Sequence, residues 1–338
     1  IVLFLLRCRA CYTGRDELEI VLDPELQAVV DAAAAANPNP PDVTKLPIEM
    51  FRAGYVMVSQ QGSLTDIACD ATTDIEVPGA AGNIGARLYV PAGSGDTVLP
   101  GLIFIHGGGF MIGNLDSHDS VCRQLANGAQ CRVIALDYRL APEHKYPAAV
   151  EDCIAAATHI IQSAADYGMD PSRLAVGGDS AGGNLSAVLS NHFAAAGLKP
   201  FVMQLLIYPG TDHGVETESR RQLQEGVTLD RKVLEYFYEG YLGGLDVDMD
   251  DPRLSPAKAR SFEGVAPAHI VTAQYDPLRD EGRDYGELLK AAGVEVSYKC
   301  YQGLMHGFVC QTGVVTSAKN AVDDMASVLA QAFKSVSY

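Results

Sequence analysis

Apolar positions near the start of the chain follow a helical rhythm. Asp23-Pro24 opens an alanine-rich stretch to about Ala36, with proline at the first helical position, where its missing N–H does no harm. Residues 37–41, Asn-Pro-Asn-Pro-Pro, form a stiff linker. A second helix is expected from Pro47 to about Ser59, where Met50, Phe51, Ala53, Gly54 and Met57 recur at helical spacing. From about Thr72 the period shortens. Residues 73–77 and 86–90 alternate like antiparallel edge strands, and Leu102-Ile103-Phe104-Ile105 is the unbroken apolar run of a strand buried on both faces. Helix 118–128, strand 132–136, helix 147–165, strand 173–177, helix 181–196 and strand 201–207 follow. Strand 269–273, helix 280–291, strand 294–300 and a helix from about Ser317 to Ser335 complete the series. Strands alternating with helices predict right-handed crossovers and an α/β architecture on a mostly parallel sheet. The segment Thr211 to Ser255 breaks the rhythm. It is acidic, too long for a plain connection, and carries one helix with Tyr236, Phe237, Tyr238 and Tyr241. It is expected to fold with the first two helices as a lid.

Composition narrows the class. The chain has 338 residues, 48% of them apolar and 20% charged, enough for a large core. A net charge of -17 speaks against nucleic-acid partners and anionic membrane surfaces, and fits solubility through self-repulsion. The eight cysteines are scattered, several inside apolar runs such as those of Cys131 and Cys153. Such cysteines behave as small hydrophobes, so no disulfides and a reducing, cytoplasmic setting are expected. Cys8 and Cys11 stand at metal spacing, but a zinc site needs a second pair, and none follows. Ile1 to Leu6 is too short to cross a bilayer and lacks the marks of a signal peptide, so no stable membrane insertion is expected.

Candidate chemistry begins at Gly178-Asp179-Ser180-Ala181-Gly182. A Gly-x-Ser-x-Gly pentapeptide alone is weak evidence. Here a strand precedes it and a helix follows, the setting of a sharp turn that exposes the serine hydroxyl and aims helix N–H groups at a developing oxyanion. Asp179 is read as a turn-stabilising neighbour. His106-Gly107-Gly108-Gly109-Phe110 follows the buried strand 102–105, and its glycines let backbone N–H groups approach a substrate oxygen, the other half of an oxyanion hole. A phosphate-binding loop would need a Gly-Lys-Ser/Thr end or Gly-x-Gly-x-x-Gly, and neither is present. A serine needs a base, and the base a carboxylate. In serine hydrolases on parallel α/β sheets these follow the nucleophile as acid, then histidine. Asp276 lies just past strand 269–273, and His306 is the only histidine after it. Asp280 and Glu281 are alternative acids, though both should begin a helix. The run Asp137 to His144 reads as structural, with Arg139 pairing with nearby carboxylates and Pro142 breaking the strand.

Taken together these runs resemble the hormone-sensitive-lipase family of α/β hydrolases, the bacterial family IV esterases. The resemblance extends from about Leu22 to the end. It rests on His106-Gly-Gly-Gly-Phe, residues 137–144, Gly178-Asp-Ser-Ala-Gly-Gly, Asp276-Pro-Leu-Arg-Asp-Glu-Gly and His306-Gly-Phe. It implies an α/β-hydrolase fold with an eight-stranded sheet. The catalytic domain would be residues 63–210 and 256–338, under a helical cap of residues 22–62 and 211–255. Residues 1–21 match nothing in the family. It further implies Ser180, Asp276 and His306 as a triad, and the N–H groups of Gly108, Gly109 and Ala181 as oxyanion donors.

The expected activity is hydrolysis of short- to medium-chain carboxylic esters through an acyl-enzyme, without metal or organic cofactor. Because the base must be neutral, activity should fall below about pH 6 to 6.5, where a free histidine titrates. An amidase, peptidase or deacetylase on the same fold is the nearest rival. A small-molecule receptor is another, but such receptors lose the histidine that is present here at 306. The pocket walls are expected from the cap, with Phe51, Tyr55, Tyr236 and Tyr241 as candidates. A homodimer through residues 295–301 is a further family-level expectation.

Overall fold

A computed structural model describes residues 20–225 and 228–335. The Cys8/Cys11 pair and nearly all of the extension 1–21 lie outside them. Helix α1 (Pro24–Ala36) starts where Asp23 accepts hydrogen bonds from the backbone N–H groups of Glu25 and Leu26, and Pro24 fills the first position. Helix α2 (Ile48–Gly62) follows, then strands β1 (Cys69–Gly79), β2 (Gly82–Pro91) and β3 (Leu99–Ile105). The regular alternation continues with α3 (Asp119–Ala129), β4 (Arg132–Asp137), α4 (Ala148–Gln162), β5 (Met169–Asp179), α5 (Ala181–Ala195) and β6 (Phe201–Ile207). The insertion holds a short α6 (Glu218–Gln222) and α7 (Arg231–Leu242), where one helix was expected. The chain closes with β7 (Ala268–Tyr275), α8 (Arg279–Ala291), β8 (Val296–Met305) and α9 (Thr316–Ser335).

The eight strands form one sheet in the order β1-β2-β4-β3-β5-β6-β7-β8. β1 and β2 are antiparallel, β2 and β4 also, and every other neighbouring pair is parallel. The apolar run in β3 shows why the sheet is buried on both faces. Leu102 and Phe104 point into a core shared with Cys122 and Leu125 of α3 and Met325 and Leu329 of α9. Ile103 and Ile105 point into the opposite core with Val150 of α4 and Leu185 and Val188 of α5.

The two N-terminal helices, grouped in the sequence as one cap, take different places. Leu26 and Val30 of α1 sit in the core with α9 and Tyr301 of β8. Glu25 accepts a hydrogen bond from the Thr316 N–H at 2.5 Å, tying α1 to the start of α9. Helix α2 belongs to the other side. Its Phe51, fully buried, stacks on Phe237 of α7 at 5.9 Å, and Lys232 of α7 pairs with Asp42 just ahead of α2. Phe237 of α7 in turn lies against Gly109, just beyond the C-terminal end of β3, the side on which ligands bind in open α/β sheets.

Candidate active site

The chain turns sharply between β5 and α5, and Ser180 occupies the turn with φ 54° and ψ −118°. That left-handed backbone is rare for a residue with a side chain. Its N–H is held by the carbonyl of Ile207 at 2.8 Å. Glycine at 182 is required by close approach, since a β-carbon there would lie 1.9 Å from the Ile105 carbonyl oxygen. The hydroxyl so presented is 2.9 Å from Nε2 of His306, the first residue beyond β8. Nδ1 of His306 faces Oδ2 of Asp276 at 2.7 Å, and Asp276 is the first residue beyond β7. Three parallel strands thus end at one place. A carboxylate only accepts, so Nδ1 donates to Asp276 and Nε2 is left to accept from Ser180.

Asp276 is fully buried, and its other oxygen accepts the Leu278 N–H at 2.8 Å. The ring of His306 packs against Tyr208 at 4.6 Å, and its carbonyl accepts a hydrogen bond from the hydroxyl of Thr228, a residue of the insertion, at 2.8 Å. The alternative acids are engaged elsewhere. Asp280 accepts the Ser219 N–H at 2.8 Å. Glu281 pairs with Arg220 at 2.9 Å, and burial pushes its carboxyl up to about 8 despite the guanidinium beside it. Arg139 and Asp152 form a bidentate pair at 2.7 and 2.9 Å, away from the serine.

The loop after β3 brings Gly108 and Gly109 beside Ser180, both with positive φ, 117° and 57°. With Ala181 they line the same pocket as Ser180 and His306. Among the described residues, none of their three N–H groups donates to another part of the protein. The pocket measures about 810 Å³, part of it open solvent, and its walls are mainly apolar.

The structure corrects the expected walls. Tyr55 lines the pocket, but Phe51, Tyr236 and Tyr241 do not. Phe51 and Tyr241 are buried one layer back, stacked on Phe237 and on Phe110 at 4.0 Å, and those two rings are the lining. Tyr236 lies off the lining face, tilted against Phe51 at 6.2 Å. Helix α7 presents Val233, Leu234, Phe237 and Tyr238, the i, i+1, i+4, i+5 face of the helix. That periodicity was present in the sequence and selects Phe237 over Tyr236. His118 was not among the expected site residues, yet its Nε2 lies 3.0 Å from Asp179. Chain order could not find it, because it precedes the serine.

A family model described as the alpha/beta hydrolase fold matches residues 102–310. The chain belongs to the α/β hydrolases. Within them it falls in the hormone-sensitive-lipase family that its motifs resemble. It is similar to the esterase LipI of Mycobacterium tuberculosis, 43% identical over 251 residues that cover 74% of this chain and 78% of that one. It is also similar to the carboxylic ester hydrolase LipN of the same organism. There the match is 47% identical over 242 residues, 70% of this chain but only 64% of LipN. Among solved structures, an ester-hydrolase from the metagenome of Lake Arreo, complexed with a derivative of bipyridine phosphonate, superposes with a TM-score of 0.89. That ester-hydrolase is 41% identical, over 93% of this chain and 100% of that one. No helix among the described residues is long and apolar enough to cross a membrane.

Proposed function

We propose that this protein is a serine carboxylesterase that cleaves short- to medium-chain carboxylic esters through a covalent acyl-enzyme on Ser180. The observation that carries the reading is the single imidazole of His306, 2.9 Å from the Ser180 hydroxyl and 2.7 Å from Asp276. The names of similar proteins, esterase LipI and carboxylic ester hydrolase LipN, support the ester as substrate.

In the first half-reaction His306 Nε2 takes the proton of Ser180 as its oxygen attacks the ester carbonyl. Asp276 holds the imidazole in the productive tautomer and offsets the imidazolium charge. The N–H groups of Gly108, Gly109 and Ala181 receive the oxyanion, aided by the N-terminal end of α5. The alcohol leaves with the proton from His306. Water, activated by the same nitrogen, then releases the acid and restores the serine. The apolar walls around Phe237 and Val233 suit an aliphatic or aryl group of modest size. A cytoplasmic setting goes with this reading, since the six described cysteines are all free. A homodimer through the β8 edge of the sheet belongs to it as well.

The deciding experiment is turnover of p-nitrophenyl butyrate by the wild type and by Ser180→Ala. The variant should lose on the order of 10⁵- to 10⁶-fold in kcat. Equal rates would refute the reading. A series of p-nitrophenyl esters from about two to sixteen carbons should peak among the shorter chains.

A further inference from the structure

Beneath the pocket a buried charge pair joins the two segments that would supply the oxyanion donors. Asp179, 2% exposed, immediately precedes Ser180 and Ala181. Its Oδ1 accepts the Gly107 N–H at 2.7 Å, and Gly107 immediately precedes Gly108 and Gly109. The same oxygen lies 3.0 Å from Nε2 of His118, which is 1% exposed and caps the start of α3. That approach lies off the direction of the ring N–H, so it acts as charge pairing more than as an aligned hydrogen bond. Oδ2 receives a long hydrogen bond, 3.4 Å, from the hydroxyl of Tyr208, whose ring packs on His306.

Hydrogen-bond logic charges His118. The Ser117 hydroxyl donates to the Asn114 carbonyl at 2.9 Å, so toward Nδ1 of His118, also at 2.9 Å, it can only accept. Nδ1 therefore carries a proton. Nε2, facing a carboxylate, carries the other. The titratable neighbours are Asp179, His106, Tyr55 and Cys310. Burial pushes the Tyr55 hydroxyl well above its usual range, so it stays neutral. Burial, and then the charge of His118, hold the His106 imidazole down at about 4. Burial would lower His118 too, but the Asp179 carboxylate outweighs it and holds the imidazole well above the ordinary histidine value. One buried cation thus faces one buried anion. Without His118 the carboxylate would be uncompensated in a low-dielectric site and would take a proton or move.

We propose that His118 is a positioning residue which, through Asp179, holds the glycine loop 107–109 in register with the Ser180 elbow and keeps the oxyanion hole preformed. This rests on the reading that Gly108, Gly109 and Ala181 bind the oxyanion. Catalysis tolerates little slack there: displacement of a reacting group by about 1 Å can cost on the order of 10²-fold.

The test compares wild type with His118→Gln, which keeps a donor but loses the charge, and with Asp179→Asn. Two rates are measured: phosphonylation of Ser180 by a fluorophosphonate, and p-nitrophenyl butyrate turnover per titrated active site. For both variants kcat per site should fall about 10-fold or more with KM within about 3-fold, and phosphonylation should fall in parallel. A lowered melting temperature with kcat per titrated site unchanged would overturn the proposal. If neither variant folds, nitrogen-15 spectra of the wild-type imidazoles decide. His118 should carry protons on both nitrogens at pH 7, and a neutral ring would overturn the proposal. A wild type that reacts with the fluorophosphonate yet hydrolyses no ester would sink the esterase reading, while the phosphonylation comparison would still judge His118.

Discussion

The ring of Phe237 fills the space that a β-carbon would take at Gly109: such an atom would lie 2.3 Å from the ring. A residue of the insertion and one of the glycine loop are thus in direct contact, which under the proposed mechanism links substrate fit to transition-state stabilisation. Gly109→Ala should lower kcat/KM at least about 10-fold, because methyl and ring cannot both keep their places. Combining it with Phe237→Ala should recover part of the loss. A double-mutant cycle on p-nitrophenyl butyrate checks the coupling, and strict additivity of the two effects would refute it. Phe237→Ala alone should shift the preferred acyl chain toward longer esters.

Asp276→Asn keeps the shape of the acid but offers His306 a donor in place of an acceptor. The imidazole would then present its proton to Ser180. A loss of about 10³- to 10⁴-fold in kcat is expected, with little change in melting temperature. Steady-state kinetics together with a thermal melt separate this from simple unfolding.

Arg220 and Glu281 form a buried pair between the insertion and the first turn of α8, 7% and 2% exposed. Arg220→Met leaves the carboxyl, protonated below about pH 8, without its partner and should cost about 1 to 3 kcal/mol in urea unfolding. Burial already raises Glu281 above its unfolded value, to about 8, so the folded state holds a proton that the unfolded chain gives up. Stability from this group therefore declines as pH rises from about 4.5 toward 8, and more steeply in the variant. Converting Glu281 to Leu as well should restore most of the loss.

Three other histidines set an acid limit. Burial holds His106 and His269 down at about 4 and His213 at about 3. Unfolding at mildly acid pH lets each take up a proton, so stability should drop between about pH 6.5 and 4. His118 has the opposite sign. Its raised value gives stability that is complete below about pH 6.5 and lost only as pH rises through its folded value. Calorimetric melts from pH 8 to 4 should show the acid loss, and His269→Gln should lessen it.

Most strand and helix positions were legible because periodicity alone sets which residues can be buried. The stretch 102–105 is apolar at every position and 201–207 at every position but Gln204, and both proved to be strands of the parallel sheet. The insertion was harder. Helix α6 spans only Glu218–Gln222, too short for any periodicity to develop, and its place depends on Asp280 and Glu281 some sixty residues away. The pocket walls misled for a related reason. Helical spacing sets Tyr236 off the Phe237 face, but Phe51 and Tyr241 are as aromatic as the rings that line the pocket, and nothing local tells the first layer from the second.

By itself the sequence determined the sheet, the turn at Ser180, the glycine loop and the histidine at 306, because strand periodicity, turn chemistry and chain order are local or ordinal properties. The tertiary structure alone decided which rings line the pocket and that His118 lies beside Asp179. It also decided that α1 turns to the α9 side while α2 meets α7. These are long-range contacts, and close packing selects among chemically equivalent side chains only when the elements are brought together.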